Sequence, residues 1–102
     1  MNIYFEYKIK EEKLPKVKDL NKLFKDFIEG QLKTINIELR KASAAIDVKD
    51  KRALIAFNID VEEPPKEIEG FYINFIDCVR SEIRLERVES KIRNFPDVDN
   101  LL

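Results

Sequence analysis

Residues 16–42 read KVKDLNKLFKDFIEGQLKTINIELRKA, and the fold turns on how this stretch is read. Val17, Leu20, Phe24, Phe27, Ile28, Leu32, Ile35, Leu39 and Ala42 recur at steps of three and four. That spacing draws one apolar stripe along a helix. Because the stripe runs on past Gly30, the pattern favours one long helix from Lys16 to about Ala42. A competing reading ends the helix near Gly30, where backbone freedom is greatest, and makes 34–40 a strand. Ile35, Ile37 and Leu39 alternate and support that second reading.

A weaker echo of the stripe lies about 51 residues later, where Ile68, Phe71, Phe75, Cys78, Val79 and Ile83 take the corresponding places. Each helix pattern follows a strand pattern. Ile3, Phe5, Tyr7 and Ile9 alternate with Tyr4, Glu6, Lys8 and Lys10, as a strand buried on one face requires. Ile55, Phe57, Ile59 and Val61 repeat the alternation until Pro64-Pro65 stops it. An acidic turn, Glu11-Glu12 or Glu62-Glu63, separates strand from helix both times. The expected fold is therefore α+β: a tandem strand–long-helix repeat with a pseudo-twofold, its two helices packed on a small sheet of two to four strands. One domain fills 1–102, with repeat one at about 2–48 and repeat two at about 53–98. Residues 43–48 read as a possible short strand, 49–52 as a charged turn, and the second helix continues to about Arg93. Pro96 ends regular structure, and 97–102 form a loosely held tail.

Composition narrows the chemistry. The 102 residues are 44% apolar and 38% charged, with a formal charge of −1 and only two glycines. Dense, balanced charge with much Lys, Glu and Ile is common in thermophiles, and an AT-rich genome favours Lys and Ile as well. No histidine is present, which removes histidine bases and the commonest transition-metal ligand. The single cysteine excludes an internal disulfide. Cys78 sits on the apolar stripe and reads as a buried structural thiol. Two isolated glycines make no phosphate-cradling loop. Neither a signal peptide nor an apolar run long enough to span a bilayer is evident. The expectation is a cytoplasmic protein with no enzymatic activity, no cofactor and no metal.

Two functional readings remain. The second helix is apolar over a wide arc, and Tyr72, Ile73 and Ile76 stand beside its stripe, as Leu23 does on the first helix. These four are the candidate partner-binding residues of a protein–protein interaction module. Such a module would use a groove between the repeats or an open sheet edge, and its partner would be a peptide, another protein or a second copy. The alternative is a nucleic-acid-binding regulator using the basic cluster Lys8, Lys10, Lys13, Lys16, Lys18, Lys22 and Lys25. Glu6, Glu11, Glu12, Asp19 and Asp26 are interleaved with these lysines and work against it.

In its length, its lack of His and Trp, its Lys/Glu/Ile bias and the doubled unit over 3–42 and 55–93, the chain resembles the small orphan proteins of filamentous viruses of hyperthermophilic archaea, such as those of Acidianus. The resemblance implies an intracellular protein in an infected host and carries over no catalytic residue.

Overall fold

A computed structural model describes the backbone of residues 1–95 and the side chains of 1–88; the expected tail, with Pro96, lies outside the described residues. The elements follow as β1 (Asn2–Ile9), α1 (Val17–Lys33), β2 (Leu39–Asp47), β3 (Arg52–Ile59), α2 (Ile68–Cys78) and β4 (Leu85–Phe95). The strands form one antiparallel sheet in the order β2-β3-β1-β4. This is the split βαβ, or ferredoxin-like, topology. Its class is α+β, with two helices packed on a four-stranded sheet.

Strict alternation builds the two central strands. Ile3, Phe5, Tyr7 and Ile9 of β1 and Ala53, Ile55, Phe57 and Ile59 of β3 are all buried in one cluster. From α1 the cluster takes Leu20, Phe24, Ile28 and Leu32, and from α2 it takes Ile68, Phe71, Tyr72 and Phe75. Phe5 lies at its centre, in edge-on contact with Phe24 (5.9 Å), Phe57 (5.2 Å) and Tyr72 (5.2 Å). Phe24 and Phe75, which occupy matching places in the sequence pattern, meet edge to face at 5.1 Å.

The long first helix is not what the chain builds. Gly30 does not end it either; α1 runs through Gly30 and stops at Lys33. The stop is a Schellman motif. The Ile37 N–H donates to the Leu32 carbonyl (3.0 Å) and the Asn36 N–H to the Lys33 carbonyl (3.2 Å). Asn36 takes a left-handed conformation, φ 58°, which asparagine tolerates better than most residues. Beyond it the chain extends into β2, which begins earlier than the strand expected at 43–48, at Leu39, and ends one residue sooner, at Asp47. Residues 48–51 close the β2–β3 hairpin, with Lys51 also left-handed at φ 52°.

The second helix is shorter than expected as well, and 85–93 is strand. Ile83 and Leu85 are buried while Arg84 and Glu86 are exposed, which is a strand's period of two. The helical spacing of Leu85, Val88 and Ile92 gives way to the tertiary demand of β1, whose second edge is paired only by β4. Cys78 ends α2 exposed and is not a buried thiol, because the buried side of the helix passes through Tyr72, Phe75 and Val79.

A Cβ added at Gly30 would meet no heavy atom within 4 Å. Gly30→Ala is therefore expected to stabilise the fold by about 0.5–1 kcal/mol, by restricting the unfolded chain and favouring helix. Urea unfolding measures this, and a loss of stability would show that α1 depends on flexibility at that position.

Candidate functional site

The four expected partner-binding side chains do not share a surface. Leu23 lines a groove of about 500 Å³ between α1 and the turn after α2. Pro15 and Leu23 give this groove its apolar surface above the buried Leu20 and Ile83, while Lys16, Lys22, Asp19, Asp26 and Glu82 bring charges of both signs. Ile76 lines a separate hollow of about 490 Å³ at the end of α2, with Lys10, Arg80 and Arg84. Two of the three cations there are engaged: Lys10 pairs with Glu86 at 3.6 Å and Arg80 with Asp77. Ile73 is half-buried against the core.

Tyr72 is 0% exposed, so it has no surface to offer a partner. Its ring stacks on Tyr7 at 4.5 Å with the planes 9° apart. The Tyr7 hydroxyl donates to the Tyr72 carbonyl at 2.7 Å. The Tyr72 hydroxyl donates to the Glu6 carbonyl at 2.7 Å and accepts from the Val88 N–H at 3.2 Å. These last two bonds fall at a break in the β1–β4 ladder. β1 advances two residues from Phe5 to Tyr7 while β4 advances five from Arg87 to Ile92. Glu6 lies in that interval on β1 and Val88 in it on β4, so one hydroxyl serves a carbonyl and an amide on either side of the bulge.

The basic cluster is divided by the sheet. Lys8 lies on the face of β1 opposite the helices, with Glu6 and its partner Arg52, whereas Lys16 and Lys22 line the α1 groove. Lys10 is paired with Glu86. Among the described residues no helix is long and apolar enough to cross a membrane.

The open sheet edge that the sequence pattern raised without assigning residues to it is the outer edge of β2. β2 is a terminal strand of nine residues, LRKASAAID. Its middle, Ala42-Ser43-Ala44-Ala45-Ile46, has no charge and no proline, and it pairs with β3 without a break. Ala42, Ala44 and Ile46 are half-buried towards the helices, and Ser43 and Ala45 stand on the open face. β4, the other terminal strand, carries the bulge, and charged residues are spread along its sequence. Natural sheets blunt an edge by those devices, and β2 carries them only at its ends, in the irregular register between Leu39 and Lys41 and the charges of Arg40, Lys41 and Asp47, and not over 42–46. The signal was an uncharged five-residue run between Lys41 and Asp47. It became readable only once β2 was known to be terminal.

The chain matches no protein-family model, and no curated protein or solved structure matches it.

Removing the Tyr72 hydroxyl should be costly beyond its size. Tyr72→Phe leaves a carbonyl and an amide without their partner inside the bulge, so a loss of about 1–3 kcal/mol in urea unfolding is expected. A change under a few tenths would show that the bulge is satisfied without it.

Burial raises the Tyr7 hydroxyl well above its ordinary value, with the neighbouring Tyr72 adding to the shift; burial also raises Tyr72. The folded chain therefore holds these protons after the unfolded chain has begun to release them. This contribution is fully present below about pH 10 and is lost as pH rises beyond it. The urea midpoint should fall above that pH in the native chain and fall less steeply in Tyr7→Phe. Equal slopes would remove Tyr7 as the cause.

Proposed function

We propose that the chain is a non-enzymatic protein–protein interaction module that receives an extended segment of its partner along the free edge of β2. The observation that carries this reading is the uncharged, proline-free run 42–46 on a terminal strand whose outer backbone groups face no other strand among the described residues. A row of unpaired N–H and C=O groups gives affinity through the main chain, and alternate side chains give selectivity. The small side chains at 42–45 leave the backbone accessible to an incoming strand.

The groove beside Leu23 is the lesser surface, because it offers mixed charge and no strand edge. The doubled unit belongs to the same proposal, supported by the recurrence of strand, helix and strand and by the meeting of Phe24 with Phe75. An intracellular, viral setting belongs to it too and is supported by composition alone.

Amide hydrogen exchange with a panel of short extended peptides tests the reading. Bound peptide should slow exchange at alternate amides of β2 and leave β4 unchanged. Protection confined to 16–26, or binding to random duplex DNA that collapses steeply with salt while β2 stays unprotected, would overturn it in favour of the groove or the lysine cluster.

A further inference from the structure

Resting on the strand-addition reading, we propose that the segment received by β2 is the β2 strand of a second copy of this chain, paired antiparallel across a twofold axis at Ala44. Register decides which partner fits. A twofold between two antiparallel edge strands sets one residue opposite itself, and that residue fixes every other pair. It also keeps the helices of both copies on one side of the joined sheet, since residues directly opposite share a face.

With Ala44 at the axis, Lys41 of each copy faces Asp47 of the other, twice over by symmetry. Ala42 faces Ile46, which sets a small side chain beside a large one on the helix side. Ser43 faces Ala45 on the open face. An axis at Ser43 sets Lys41 against Ala45, and an axis at Ala45 sets Asp47 against Ser43 and leaves Lys41 beyond the end of the facing strand. Only the Ala44 register joins the charges at the two ends of the neutral run into complementary pairs.

Within a single chain these charges are uncommitted. Lys41 is exposed and has no ion-pair partner among the described residues. Asp47 accepts the Asp50 N–H (3.1 Å) and pairs with no cation among the described residues. Arg52, which faces Asp47 across the β2–β3 ladder, is taken by Glu6. A strand that met many unrelated partners would gain nothing from opposite charges spaced symmetrically about its centre. A strand that meets itself gains two ion pairs and a unique register.

Sedimentation equilibrium on the full chain and on charge-reversed variants tests this. The native chain should dimerise. Lys41→Asp alone and Asp47→Lys alone should each weaken the dimer by about tenfold, since each turns two attractive pairs into repulsive ones. An equimolar mixture of the two variants should recover the association. One variant then carries carboxylates at both positions 41 and 47 and the other carries ammonium groups at both, so every facing pair in the mixed dimer is again of opposite sign. Circular dichroism confirms that each variant folds. Lys41→Glu, at an exposed position, is the second variant should Asp47→Lys disturb the hairpin turn. A chain that stays monomeric at high concentration overturns the self-pairing, and β2 protection by peptides in that same monomer would leave strand addition standing. A dimer indifferent to both reversals overturns the register and so the proposal.

Discussion

One hydroxyl bridges the break in the β1–β4 pairing. Tyr72 reaches from α2 into the β1–β4 ladder at the place where β4 carries extra residues, and there it bonds one backbone group from each strand. A bulge in this pairing would otherwise leave partly buried polar backbone groups without partners. The same side chain stacks on Tyr7, touches Phe5 and accepts a bond at its own carbonyl. It therefore fixes the height and rotation of α2 over β1, and through Phe75 the position of α1. Most of the core contacts are apolar and tolerant of small shifts. This one is directional, so it is what sets a single arrangement.

The bulge also explains why the two sides of the sheet differ. A strand with extra residues is bent and irregular, which makes β4 a poor template for a further strand. β2 keeps an unbroken register with β3 from Lys41 to Asp47, and its middle is neutral and mostly small in its side chains. The irregular side is secured from within by a tyrosine, and the regular side is left open. The helix-side hollows are lined by charges already arranged in pairs or mixed in sign.

Where side chains alternate strictly, the fold was legible in the residues. β1 and β3 follow from Ile3, Phe5, Tyr7 and Ile9 and from Ile55, Phe57 and Ile59, whose period admits no helix. Both helices were visible at their starts. Their ends were not, and the reasons are physical. Ile35, Leu39 and Ala42 continue the helical stripe by position while belonging to a turn and a strand, and the stop signal was Asn36 with an apolar Ile37 after it, not Gly30. For 85–93, local spacing pointed to helix, and the unpaired second edge of β1 overrode it. Among the site residues, Tyr72 stood beside an apolar stripe by pattern and so read as surface. Its true role depends on a backbone break sixteen residues further on, which no periodicity records. Lys41 and Asp47 are ordinary charges until the strand order makes them the two ends of an open edge.

Strand order has a further consequence, for how the chain folds as it leaves the ribosome. β1 is made first, yet its neighbours are β3 and β4, so Asn2 waits for Asn58 and Ile9 for Leu85. The β2–β3 hairpin is the only sheet contact that nearby residues can make early. High sequence separation of this kind slows folding and leaves a greasy strand uncovered meanwhile. The nascent chain therefore has most need of a chaperone, or of an early partner, in the interval between the emergence of Phe5 and the arrival of Tyr72.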